Sequence, residues 1–99
     1  MQQVKIYGFG SFFNNKSNFH DIDILILHSN TSIDSCNFAK FCKDFIISNI
    51  PQSDITMLSE PEESNNSFIK KSRAYFIGEV LEQSANENLI NILSYINNY

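Results

Sequence analysis

Residues 21–27 read Asp-Ile-Asp-Ile-Leu-Ile-Leu, and this stretch decides the fold. Successive side chains of a strand point to opposite faces, so the two aspartates share one face with the two leucines. The three isoleucines take the other face. Apolar residues on both faces predict a strand that is buried on both faces, as is typical of α/β proteins.

Apolar spacing in the rest of the chain predicts three more strands, over residues 4–9, 54–58 and 74–81, with a bulge at Gly78 in the last. One helical turn is expected over 11–16, an amphipathic helix over 35–49 and a short polar helix over 62–71. A closing amphipathic helix carries Leu89, Ile92, Leu93 and Ile96. The predicted fold class is therefore α/β, with a small mixed, twisted sheet of about four strands and helices mainly on one face.

Length and composition limit the classes of protein to which this chain can belong. The 99 residues, 42% of them apolar and including nine Phe and four Tyr, suit a single domain over 1–99 with an aromatic-rich core. Seven Lys and Arg against eleven Asp and Glu give a net charge of −4, which argues against strong nucleic-acid binding.

Hydropathy and cysteine usage point to a cytoplasmic protein. No run of eighteen apolar residues occurs and the first five residues are mostly polar, so we expect neither a membrane span nor a signal peptide. Cys36 and Cys42 have no neighbouring ligands at metal spacing, and we expect both to be reduced thiols that fill the core.

Asp21 and Asp23 are the first candidates for chemistry. Residues i and i+2 of a strand lie about 6.5 to 7 Å apart, close enough for both carboxylates to approach one divalent cation. Burying two like charges is costly without a counter-ion, and residues 22–27 contain no Lys or Arg. With Asp54 at the start of a neighbouring strand, the pattern predicts a three-carboxylate site for two Mg²⁺ ions. The alternatives are a solvated pair on an edge strand and, for Asp54, a turn residue.

Gly10-Ser11 follows the first strand, and glycine lets a backbone approach a phosphate closely. This pair, the Asp21-Ile22-Asp23 strand, a helix and a strand that opens with Asp54 together resemble the DNA polymerase beta-like nucleotidyltransferase superfamily, specifically its minimal nucleotidyltransferase branch, over about residues 4–60. The resemblance implies that Gly10 and Ser11 hold a triphosphate, that the paired aspartates bind two Mg²⁺ ions, and that Asp54 helps to activate the acceptor hydroxyl. Many members carry a basic residue just after the serine, and here only Lys16 could make that phosphate contact.

The resemblance implies a Mg²⁺-dependent transferase that moves a nucleoside monophosphate, AMP from ATP or another NTP, to a hydroxyl acceptor. No acceptor-binding helical domain follows in this sequence, so we expect a partner protein to complete the site. By analogy, the partner is a toxin or a subunit of a defence complex, and this chain is the antitoxin. The alternative is a catalytically weak or inactive domain of the same fold that acts as a protein-binding subunit. A homodimer and turnover without the partner stay open.

Overall fold

The computed structural model describes residues 1–14 and 20–99, which form a four-stranded mixed sheet. The strands are β1 (Gln3–Phe9), β2 (Ile22–His28), β3 (Ser53–Ser59) and β4 (Tyr75–Leu81). They lie in the order β3-β2-β1-β4; β1 pairs antiparallel with β2 and β4, and β2 pairs parallel with β3. The predicted fold class is confirmed.

Two long helices cover one face of the sheet, where they pack against the strands and each other. Shorter helices make the other connections. The helices are α1 (Gly10–Phe13), α2 (Ile33–Asn49), α3 (Glu60–Asn66), α4 (Phe68–Ser72) and α5 (Ala85–Asn97), with a 3₁₀ turn over Glu82–Ser84 before α5. Among the described residues, no helix is both long and apolar enough to cross a membrane.

The core lies between the sheet and the two long helices, α2 and α5. Each large aliphatic side chain buried there stabilises the fold by about 1.5 to 3 kcal/mol. The three isoleucines of residues 21–27 all belong to this core, as the alternating pattern predicts. Its buried members include Val4, Ile6, Ile22, Ile24 and Ile26 from the sheet, Phe38, Ala39, Cys42 and Ile46 from α2, and Leu89, Ile92 and Ile96 from α5.

The polar helix predicted over 62–71 is wrong as a single helix, because the chain breaks at Ser67. Ser67 has a left-handed backbone (φ 51°) that ends α3, and α4 begins at the next residue. The carboxylate of Glu63 then accepts the backbone N–H of Ile69, at 3.2 and 3.3 Å to its two oxygens. Hydropathy could not reveal the break, since both helices are polar and Ser67 is not a usual left-handed residue.

Four other details differ from the sequence predictions. Strand β2 begins at Ile22, so Asp21 lies in the bend before the strand. Cys42 is buried, whereas Cys36 is exposed and fills no core.

In β4 the bulge lies next to Gly78: Ile6 pairs with Gly78 and Tyr7 with Phe76, which leaves Ile77 as the extra residue. The helical turn expected over 11–16 starts at Gly10, and residues 15–19 lie outside the described chain.

Candidate functional site

Asp21, Asp23 and Asp54 lie at one end of the sheet, which we call the acid end. Asp23 and Asp54 are register partners on parallel neighbouring strands, which places their backbones about 4.8 Å apart. Their neighbours in register, Ile24 and Ile55, contribute to the core under α2 and α5. Because side chains alternate, both aspartates belong to the opposite face of the sheet. Asp21 and Asp54 are exposed and Asp23 is half-buried.

The negative charges of Asp21 and Asp54 act on the carboxyl group of Asp23. The pKa of Asp23 is raised, first by burial and then by the negative charges of Asp54 and Asp21. Both causes disfavour the ionised form of Asp23, and a cation bound nearby would stabilise that form. The three predicted acids therefore lie near enough for Asp21 and Asp54 to act on the ionisation of Asp23.

The three side chains do not close into a cage. Within residues 1–14 and 20–99, no three His, Cys, Asp or Glu side chains come close enough together to hold a metal ion. Mg²⁺, however, prefers oxygen ligands and is usually bound by one or two carboxylates together with water and substrate phosphates. The register pair Asp23 and Asp54 meets that requirement, with Asp21 as a further carboxylate beside it.

Gly10 brings the end of β1 against Asp23. Its φ of 79° lies in the left-handed region, and a Cβ atom built on it would stand 2.1 Å from Oδ2 of Asp23. Only glycine both adopts this φ readily and leaves room for the carboxylate. Ser11 follows in α1 and is half-exposed. The predicted glycine-serine turn and Asp23, one of the three predicted acids, are therefore adjacent in the fold.

Aromatic side chains from distant parts of the chain hold α1 in place. The ring of Phe13 is buried and meets Tyr75 and Tyr99 edge-on, with ring centroids 5.7 and 5.1 Å apart. The Tyr99 hydroxyl donates a hydrogen bond to the carbonyl oxygen of Phe13. Sequence reasoning did not identify Tyr75 and Tyr99 as supports of the site, because no local pattern links them to residues 10–13.

The described residues include a cavity away from the acid end, but they do not include Lys16. Lys16 falls outside the described residues, so its phosphate contact stays a prediction. A cavity of about 450 Å³ lies near the start of α2 and the end of β4, lined by Phe38, Phe41 and residues 82–87. Since β4 ends there and begins beside the acid end, this cavity is at the far end of the sheet.

The acid end thus combines a left-handed glycine turn, two aspartates in register and a third aspartate just before β2. Oxygen ligands and an accessible backbone turn are a suitable environment for a metal-bound phosphate group. No protein-family model matches this chain, no curated protein matches it, and no solved structure matches its fold.

Proposed function

We propose that this protein is a Mg²⁺-dependent nucleotidyltransferase that moves a nucleoside monophosphate, AMP in the first instance, from an NTP to a hydroxyl acceptor. The observation that carries the proposal is the close approach of the Gly10 backbone to the Asp23 carboxylate, with Asp54 in register beside it. A metal-bound triphosphate requires both features at one place, an open backbone turn and carboxylate ligands.

Each residue of the site has a distinct role in this proposal. Gly10 and Ser11 border the triphosphate, because the turn offers backbone without an obstructing side chain. Asp21 and Asp23 would hold the metal at the start of β2, and Asp54 would hold it from the neighbouring strand. When bound, Mg²⁺ neutralises phosphate charge and polarises the phosphoryl oxygens.

The reaction is an in-line displacement at the α-phosphorus. The acceptor oxygen forms a new bond to that phosphorus, the bond to the pyrophosphate oxygen breaks, and pyrophosphate leaves with the bonding electron pair. The proton of the acceptor hydroxyl passes to the carboxylate of Asp54. Asp54 is exposed and suited to this role, because an acceptor can reach it from solvent.

The acceptor we propose is a hydroxyl group of a partner protein, such as a tyrosine of a toxin. Large apolar side chains are exposed, among them Ile33 at 77%, Ile90 at 57% and Phe76 at 52%. These side chains would be available to contact such a partner. In this arrangement the chain acts as an antitoxin by modifying its partner.

A second candidate function is a protein-binding subunit with little or no turnover. The observation that favours it is that the described acids do not converge into a closed metal set. The raised pKa of Asp23 argues against it, because a site that binds no cation gains nothing from three neighbouring carboxylates.

The test is calorimetric titration with a non-hydrolysable ATP analogue, with and without Mg²⁺. We expect Mg²⁺-dependent binding by the wild type and none by the double variant Asp21→Ala/Asp23→Ala. The matched control is Asp34→Ala/Asp44→Ala, which removes the same charge from exposed positions of α2. This control should bind like the wild type.

Turnover is then measured as pyrophosphate release, or as transfer of label from α-labelled ATP to a co-purified partner. Binding without transfer in the presence of the partner would favour the protein-binding subunit. Absence of Mg²⁺-dependent binding in the wild type would refute the nucleotidyltransferase proposal.

A further inference from the structure

The connection from β3 to β4 crosses the sheet on the face that carries the acids. These two strands are the opposite edges of the sheet, so α3 and α4 must span its width. Leu25 and Leu27 alternate onto the face opposite the long helices and are nevertheless buried. Since α3 packs against β2 and β3, this connection is the cover over that face.

Helix α4 brings the chain back to the acid end. The ring of Phe68, its first residue, meets the ring of Phe9 edge-on with centroids 5.1 Å apart, and Phe9 is the register partner of Asp23. Just after α4, Tyr75 pairs with Gly8 near the end of β1. Both ends of α4 are therefore anchored beside the glycine turn.

This helix and the residue after it carry a concentration of positive charge. Lys70, Lys71 and Arg73 are three of the seven basic residues in a chain of net charge −4. All three side chains are exposed. They lie within one helical turn of each other, on the face of the sheet that also carries Asp23 and Asp54.

Arg73 occupies a strained backbone position. Its φ of 57° and ψ of 35° are left-handed, at the end of α4 where glycine is the usual residue. A side chain in this region costs about 1 kcal/mol or more relative to glycine. An arginine where glycine is usual is a reason to look for a function of the side chain itself.

The basic residues precede a different strand from those that carry the acids. Strand β4, which Arg73 precedes, is two strand spacings from β2, or about 10 Å. The acids of β2 and the start of β4, which follows the basic residues, therefore lie on either side of β1, the strand that ends at the glycine turn.

We infer that Arg73, with Lys70 and Lys71, binds the phosphates of the nucleotide whose metal is held at the acid end. The inference rests on the proposed function, because it assigns the anionic part of the same ligand. A metal-bound triphosphate fits this separation of charge, with its cation toward the aspartates and its outer phosphates toward α4. Arginine suits the role, since its guanidinium group donates two hydrogen bonds in parallel to phosphate oxygens.

The experiment compares Arg73→Gly and Lys70→Ala/Lys71→Ala with wild type, by calorimetry with the Mg²⁺-bound ATP analogue and with adenosine. Each variant should bind the ATP analogue about tenfold more weakly, which corresponds to the loss of a charge-assisted contact. Adenosine has no phosphate, so its affinity should stay the same. Lys40→Ala, an exposed charge on α2, is the matched control and should change neither.

Arg73→Gly also separates binding from folding. Glycine relieves the left-handed backbone, so this variant should melt at or above the wild-type Tm while it loses affinity for the ATP analogue. Unchanged ATP-analogue affinity in the α4 variants would overturn the inference, as would an equal loss for ATP analogue and adenosine. If the wild type binds but Asp21→Ala/Asp23→Ala binds equally well, the proposed metal site fails instead. If the wild type itself does not bind, both proposals fail.

Discussion

At the residue scale, the negative charge of Asp23 destabilises the free protein and is also the charge that would bind the metal. Burial and two neighbouring carboxylates raise its pKa, so the ionised side chain destabilises the folded protein when no cation is present. Sites that hold a function often retain such a cost because the ligand removes it. The stability of the free protein and its response to Mg²⁺ should therefore change in opposite directions when this charge is removed.

Replacing Asp23 by Asn tests that expectation. At pH 7 the variant should be more stable than the wild type by about half a kcal/mol, a small value because solvent screens a half-exposed group. Mg²⁺ should raise the Tm of the wild type and leave the variant unchanged. Both are measured by thermal unfolding with and without Mg²⁺. A variant that is less stable than the wild type at every Mg²⁺ concentration would contradict the account of Asp23.

Gly10→Ala should damage the site and the fold together. The left-handed backbone costs an alanine about 1 to 2 kcal/mol, and its Cβ would displace the Asp23 carboxylate that now lies 2.1 Å from that position. We expect lower stability in urea unfolding and loss of Mg²⁺-dependent nucleotide binding. Ser11→Ala, at the next position, adds no strain and should retain the stability. Wild-type stability of Gly10→Ala would show that the turn can be rebuilt.

At the scale of elements, a capping box sets where α3 begins and therefore how the chain starts its return across the sheet. The Ser59 hydroxyl accepts the backbone N–H of Glu62, and the Glu62 carboxylate accepts the backbone N–H of Ser59 at 2.8 Å. Pro61 lies in the first turn, where its missing N–H costs nothing. These local contacts fix the start of α3, and the left-handed Ser67 fixes its end.

The capping box makes part of the stability depend on pH. The backbone and hydroxyl of Ser59 donate to Glu62 and lower its pKa from the ordinary value of 4.5. A lowered folded-state pKa adds stability above pH 4.5, and that stability is lost as the pH falls through the folded-state pKa. Glu62→Gln should remove this acid-dependent part in urea unfolding between pH 3 and 7, whereas Glu60→Gln should leave it.

Ser59→Ala is the complementary change. Loss of an N-cap side chain costs about 1 kcal/mol, and the variant should also lose much of the pH dependence because Glu62 keeps only the backbone donor. The free energy of unfolding at pH 7 gives the first effect. A pH profile identical to that of the wild type would contradict the assignment of Glu62 to the cap.

At the scale of the whole molecule, Tyr99, which follows α5, meets α1 near the site. Tyr99 packs on Phe12 and Phe13 of α1, with ring centroids 5.5 and 5.1 Å away, and its hydroxyl donates to the Phe13 carbonyl oxygen. Tyr75, at the start of β4, completes the contact with Phe13. The turn that carries Gly10 and Ser11 thus depends on Tyr75 of the last strand and on Tyr99, which follows the last helix.

Tyr99→Phe should therefore cost about 1 kcal/mol of stability, the usual net value of one hydrogen bond. Tyr99→Ala should cost more, because the edge-to-face contact is lost as well. Urea unfolding measures both, and hydrogen exchange of the Asn14 amide, which donates to Gly10, reports whether α1 is the part that loosens. Equal stability of Tyr99→Phe and the wild type would show that the hydroxyl contact is not formed in solution.

The sequence by itself determined the class of fold, because its main signals are local. Alternation over residues 21–27 predicted a strand buried on both faces, and spacing predicted the amphipathic helices α2 and α5. Residue identity also singled out Gly10, Ser11 and the three aspartates before any fold was known. What alternation could not give was the end of each element, since hydropathy does not detect the left-handed break at Ser67 or the bend that leaves Asp21 before β2.

Only the tertiary structure decided which of these residues meet. The register that sets Asp54 beside Asp23 and the contact of Gly10 with the Asp23 carboxylate both depend on strand pairing. So does the return of α4 to the acid end, through the contact of Phe68 with Phe9. Such contacts join residues far apart in sequence, and their geometry comes from packing of the whole chain, which no local pattern of residues encodes.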